Sequence, residues 1–142
     1  MKPVTVQLAD ARRDRDLHEL DITAALGIAD RSLYRWETGR CSPKVRSVIA
    51  WAGVLGYRAV VSRHEHVAGG LLDVVMRLPE LRRAAGLTQS RMGERLFIHQ
   101  VVVSRIERTA GPGMWLATAD RYLTALGHEI TLKPIDALER VA

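Results

Sequence analysis

Several things are scarce in this chain, and each scarcity excludes something. There is one cysteine, Cys41, so no intramolecular disulfide can form, and its loop position reads as a free thiol in a reducing compartment. No apolar run approaches the roughly 18 residues that a membrane helix needs. The N-terminus also lacks the apolar core of a signal peptide. Together these predict a soluble, cytoplasmic protein. Lysine is nearly missing: of 21 basic residues only Lys2, Lys44 and Lys133 are lysine, a bias that points to a GC-rich genome. Catalytic spacings are missing too. No Ser-His-Asp, Cys-His or phosphate-loop pattern is found, so no enzyme and no cofactor are expected. His64-Glu65-His66 offers two histidines but no third or fourth ligand, so no metal site is expected and the segment reads as a solvated linker.

What remains is a basic, globular composition. The chain has 142 residues, 47% of them hydrophobic, a net charge of +5 and a pI near 10.0. Basic residues outnumber acidic ones by eleven to eight up to His66 and by ten to eight beyond it. A positive surface of this kind suits a polyanion.

The length fits one ordinary domain or two small ones, and an internal repeat favours two. Shifted by 70 positions without gaps, Leu8, Arg12, Arg13, Leu17, Leu26, Ile28, Arg35 and Glu37 fall on Leu78, Arg82, Arg83, Leu87, Leu96, Ile98, Arg105 and Glu107, all identical. Ile22, Leu33 and Trp36 fall on Met92, Val103 and Ile106, so apolar character is kept. One residue is then inserted, and at a shift of 71 Leu55-Gly56 falls on Leu126-Gly127. The units are therefore 1–66 and 67–142, each near the lower size limit for folding alone, so mutual packing is expected.

The most informative stretch, GLTQSRMGERLFIHQVVVSRIER from Gly86, reads as helices over 88–96 and 100–108 joined by the turn Phe97-Ile98-His99. Its apolar residues form one stripe per helix. Gln100, Val101, Ser104, Arg105 and Arg108 stay off that stripe, giving the amide, hydroxyl and guanidinium groups that a major-groove reader needs. LRRAAGLTQ followed by VVVSRIER resembles the helix-turn-helix of the Cro and phage-repressor (lambda-repressor-like, XRE) family, and RWETGR with Cys41-Ser42-Pro43 resembles the end of the same motif in the first unit. The resemblance implies a mainly α fold of two tandem helix-turn-helix units, operator binding and no catalysis.

Read in order, residues 1–7 form a short tail in which only Lys2 can reach a phosphate. Helices follow over 8–15 and 17–26, with Asp16 as N-cap and Glu19 completing a capping box. A third helix over 30–38 is capped by Asp30 and closed by Gly39. A fourth spans 44–55, and YRAVVS over 57–62 reads as a strand. RHEHVAGG over 63–70 is a flexible linker. Residues 71–85 form one helix, or two split at Pro79. Leu71, Leu72, Val74, Val75 and Leu78 form an apolar patch there that is expected to pack the units together. The closing helix covers 115–126, HEITL over 128–132 is the second strand, and 135–142 is a short C-terminal helix. The two strands either pair across a pseudo-two-fold axis, the preferred reading, or stand as independent tails.

For DNA, the first unit presents Asp30, Arg31, Ser32, Tyr34 and Arg35 to the bases, and the second presents His99, Gln100, Val101, Ser104 and Arg105. Gln100 suits adenine, arginine suits guanine, and Val101 suits a thymine methyl. Asp30 can accept from cytosine or serve only as the cap, the preferred role. Arg35 and Arg105 are equally readable as phosphate clamps. Phosphate candidates are Arg31, Arg40, Lys44 and Arg46 in the first unit and Arg91, Arg95 and Arg108 in the second. The resemblance adds Gln89 as a phosphate ligand, where the first unit has a repulsive Glu19. It also implies ion pairs Arg12–Glu37 and Arg82–Glu107 that fix the reading helices. The expected function is a transcriptional regulator, most simply a repressor (a phage immunity repressor or an autoregulator), monomeric, with two unlike heads on one double-stranded operator. The alternative is an antitoxin with a protein partner.

Overall fold

The computed structural model describes residues 2–135. The expected helix over 135–142 therefore lies outside the described residues, apart from Ile135. The fold is mainly helical, with a three-stranded antiparallel sheet of order β2-β1-β3. Its elements are α1 (Val4–Asp14), α2 (Glu19–Leu26), α3 (Asp30–Glu37), α4 (Val45–Val54), β1 (Tyr57–Arg63), β2 (His66–Gly70), α5 (Leu71–Val75), α6 (Leu78–Ala84), α7 (Gln89–Leu96), α8 (Gln100–Thr109), α9 (Leu116–Ala125) and β3 (Glu129–Pro134).

Three local expectations are corrected. The N-terminal residues are not a frayed tail: α1 starts at Val4, which is buried, and Lys2 pairs with Asp10 at 2.9 Å. Asp16 and Glu19 do not cap α2. His18 does, its Nδ1 accepting from the Leu20 N–H while Asp21 accepts from the His18 N–H. Asp16 instead sits at φ 53° in the turn after α1. Asp30 is likewise not the N-cap of α3, a place held by Ala29. Its Oδ1 accepts from the Thr23 hydroxyl at 3.1 Å and ties α3 to α2.

The expected linker is ordered. His64 and Glu65 both adopt positive φ, as a two-residue turn of primed type requires, and return the chain as β2 along β1. The register slips between Val61 and Ser62, since Ser62 faces Val67 and Val61 faces Gly69; Ala68 is the extra residue of a bulge. The boundary at 66/67 thus falls at the start of a strand. Pro79 splits 71–85 into α5 and α6, as the second alternative had it.

Strands β1 and β3 pair antiparallel with Val60 opposite Thr131. These two residues are equivalent in the repeat at a shift of 71. A second equivalent pair, Lys44 and Trp115, forms an isolated antiparallel bridge. Around it the Val45 N–H donates to Met114 O at 2.9 Å and the Leu116 N–H donates to Pro43 O at 2.8 Å, each bond being the repeat image of the other. Where equivalent residues face one another and their bonds are reciprocal, a local two-fold axis passes between them. The halves are arranged as a covalently linked two-fold pair, with one axis through the sheet and through the α4 and α9 N-caps.

One core serves both halves. Leu8, Ile22, Val48, Trp51 and Val61 join Leu71, Val74, Leu78, Met92, Tyr122 and Ile130 in a single buried cluster. Of the apolar patch at 71–78, Leu71, Val74, Val75 and Leu78 are fully buried, and α5 packs on α4 and β1 of the first half. In turn α1 packs on β3 of the second half, and Gln7 Nε2 donates to Ile130 O at 3.3 Å. A fragment of residues 1–66 lacks β3 and α5, so it is expected to stay unfolded, with collapsed amide dispersion by NMR. Cooperative unfolding of that fragment by itself would contradict the shared core.

Candidate nucleic-acid interface

The candidate site is the outward face of α3 and α8, and it is held from behind by two buried ion pairs. Arg12 on α1 donates from Nε to Glu37 Oε2 at 2.8 Å and from Nη2 to Oε1 at 2.9 Å. Its Nη1 also donates to Leu17 O at 2.9 Å. Arg82 on α6 repeats all three contacts, with Glu107 at 2.7 and 3.1 Å and with Leu87 O at 2.8 Å. A bidentate fork fixes the angle of the carboxylate as well as its distance. The pairs thus clamp the C-terminal ends of α3 and α8 to α1 and α6, respectively.

Surroundings differ between the two clamps. In the second unit Tyr122 Oη donates to Glu107 Oε2 at 2.7 Å and Gln89 Nε2 donates to Oε1 at 3.2 Å. Trp51 replaces Tyr122 in the first unit, its Nε1 buried with no hydrogen-bond partner among the described residues, and Glu19 replaces Gln89, 3.8 Å from Arg12. Burial pushes the Glu107 carboxyl up, but hydrogen bonds from Arg82, Tyr122 and Gln89 outweigh it and hold the group below its ordinary range. Burial, with the bond to Glu107, drives the Tyr122 phenol well up, so it stays a donor. In both units the guanidinium is held charged, chiefly by its carboxylate partner.

The outward faces are open. Arg31, Arg35, Gln100, Val101 and Arg105 are exposed, and no side-chain partner is seen among the described residues for Arg31, Arg35 and Arg105. Ser32 and Ser104 are half-buried. Tyr34 is exposed, with the Arg40 guanidinium 5.7 Å from its ring centre. His99 caps α8, its Nδ1 accepting from the Val101 N–H at 3.0 Å, which leaves Nε2 outward.

Phosphate candidates divide into those left outward and those engaged by the protein. Arg46 and Arg108 are exposed, and Arg91 pairs with Glu94 at the surface at 3.3 Å. Lys44 stands 5.5 Å from the Trp115 ring centre at the axis. Arg95 is committed elsewhere: its Nη1 donates to Ala125 O at the end of α9, at 3.0 Å. One N–H of the Gln89 amide is turned inward to Glu107.

One residue escaped the sequence reading. Phe97, between α7 and α8, is 92% exposed and held at φ 58°. Its repeat equivalent is Gly27, at φ 66°. The αL region costs a β-carbon-bearing residue roughly 1–2 kcal/mol, and an exposed ring recovers none of it by burial. The available signal was the only phenylalanine of the chain standing where the other unit has glycine. The turn is tight as well, since a β-carbon on Gly93 would lie 2.6 Å from the Ile98 carbonyl oxygen.

Cutting one clamp should be costly. Arg82→Met strands a buried carboxylate, and urea unfolding is expected to show a loss of about 3 kcal/mol. Because the folded Glu107 carboxyl titrates below its unfolded value near 4.5, the unfolded chain binds the extra proton first. The resulting stability is complete above that pH and drains away as pH falls through the folded value. Glu107→Gln should flatten the acid limb of a stability profile; a limb of wild-type slope would count against this. Phe97→Gly should stabilise the fold by up to about 1 kcal/mol, read as a raised urea midpoint.

No protein-family model, no curated protein and no solved structure matches this chain.

Proposed function

We propose that the protein is a sequence-specific double-stranded DNA-binding regulator, most simply a repressor, whose α2–α3 and α7–α8 pairs act as two helix-turn-helix heads. The observation that carries this reading is the two-fold relation of the halves at β1–β3 and at Lys44–Trp115, joined to matching forks behind α3 and α8 and to Arg31, Arg35 and Arg105, which are exposed on those helices with no side-chain partner seen among the described residues. A two-fold relation sets equivalent helices at the same height along its axis, and half-sites about one helical turn, roughly 34 Å, apart are what two such heads would meet. The loops after α3 and α8 meet where Lys44 pairs with Trp115.

The faces themselves are unlike. Arg31, Tyr34 and Arg35 on α3 suit guanine-rich steps, and Gln100, Val101 and Arg105 on α8 suit adenine, thymine and guanine in turn. The preferred operator is therefore asymmetric, although its scaffold is nearly symmetric. Both heads sit on one chain, so the second binds at a high effective concentration and a monomer suffices. Occupying a promoter in this way excludes polymerase.

Selection of bound duplexes from a random pool is expected to return two unlike half-sites at a fixed spacing, and recovery of no consensus would refute the reading. Arg105→Ala should lower specific affinity about tenfold or more and relax one half-site, following the roughly 1–3 kcal/mol of a bidentate base contact; equal loss on random DNA would assign Arg105 to phosphate. Sedimentation of the free protein should show a monomer. The second reading, an antitoxin, is favoured by one feature, the exposed and strained Phe97, and co-purification of a protein whose release requires Phe97→Gly would support it instead.

A further inference from the structure

Beside α8 lies a groove of ≈ 760 Å³, bounded by α8 on one wall and by the N-terminal half of α9 on the other. Ile98, Val102, Ile106 and Met114 supply apolar lining, and Arg105 and Arg121 supply the charged groups. No acidic side chain lines it. The volume falls in the range of sites that enclose small organic molecules, about 300–1,000 Å³.

The repeat supplies a control. The equivalent place in the first half, lined by Leu26, Ile28, Trp36, Arg46, Ser47 and Ala50, leaves only ≈ 230 Å³. Trp36 stands there where the second half has Ile106, and its ring packs 5.9 Å from that of Trp51. So one copy of this architecture carries an indole at the position that the other leaves open. The charge is placed differently as well, because Arg121 stands where the first half has Ala50, and Ala117 stands where it has Arg46. The Nη2 of Arg121 donates to Leu96 O at 2.6 Å, which anchors the guanidinium and leaves other N–H groups to donate. Arg105 across the groove has no side-chain partner among the described residues.

We infer that this groove is an effector site for a planar aromatic carboxylate about the size of an indole. The ring lies on Ile98, Val102 and Ile106, and the carboxylate takes charge-assisted hydrogen bonds from Arg121 and Arg105. Occupancy neutralises Arg105 and presses on the back of α8, so the ligand opposes DNA binding. That consequence, though not the binding itself, rests on the function proposed above.

The probe is indole-3-acetate, titrated into the full chain by calorimetry without DNA. Binding at about 1 mM or tighter is expected, with the neutral indole-3-acetamide weaker by about tenfold or more. Ile106→Trp should abolish binding while leaving the melting temperature at or above wild type, and Arg121→Gln should weaken the acid but not the amide. Absence of heat, equal binding of acid and amide, or wild-type binding by a folded Ile106→Trp chain would each overturn the site. A second arm measures selected duplex with and without saturating indole-3-acetate. A fall in affinity of several-fold is expected, and an unchanged affinity overturns the effector role. A chain that binds the acid but no DNA would sink the proposed function and leave the groove standing; DNA binding with a silent calorimeter would do the reverse.

Discussion

Everything in this fold is referred to the antiparallel seam in which Val60 faces Thr131. Because those residues are repeat equivalents, the pairing that joins the halves also relates them. Antiparallel strands exchange bonds symmetrically about the perpendicular through a pair. Two tandem units joined by such a seam thus acquire a two-fold relation that nothing in a head-to-tail chain requires. The reciprocal bonds around Lys44 and Trp115 repeat the arrangement at a second point on the axis. A seam of two strands is marginal alone. Here β2 extends the sheet, and α1, α4, α5 and α9 pack on its strands.

The arginine–glutamate forks transmit that rigidity to the helices that face outward. A buried ion pair adds little net stability over a well-packed apolar pair, because desolvating the charges offsets much of the attraction. Its contribution here is directional. The fork ties Glu37 and Glu107, at the ends of α3 and α8, to α1 and α6. Side-chain exposures of 7% and 4% for Arg82 and Glu107 mean that neither partner can swing to water as an alternative. The second unit adds Tyr122 and Gln89 to its fork, so the two clamps differ in stiffness.

Around this nearly symmetric frame, the surfaces have diverged. Arg35 and Arg105 are retained, but Arg31 and Tyr34 face Val101 and Ser104 in the repeat. Trp36 fills a place that Ile106 leaves open, and Phe97 strains a turn that Gly27 makes freely. These differences lie on or beside α3 and α8, while the buried equivalents Ile22 and Met92, Leu33 and Val103, and Trp51 and Tyr122 change residue but stay buried.

The helices, their turns and the repeat were legible because each is written in local periodicity or in identical residues at a fixed offset, whereas the arginine–glutamate partners came only from the family resemblance. The preferred pairing of the two strands agrees with the β1–β3 seam, although its register and the third strand did not follow from the residues. β2 is built of His-Val-Ala-Gly-Gly, a poor strand former, and becomes one because the His64-Glu65 turn lays it against β1. Capping by His18 rather than Asp16 turned on which residue the backbone left at φ 53°. Strand register, caps and the groove beside α8 depend on groups far apart in the chain or on competing local bonds of similar strength. Only packing of the whole selects among those, which is why the amino-acid order determined the elements and the tertiary structure decided how the two halves face each other.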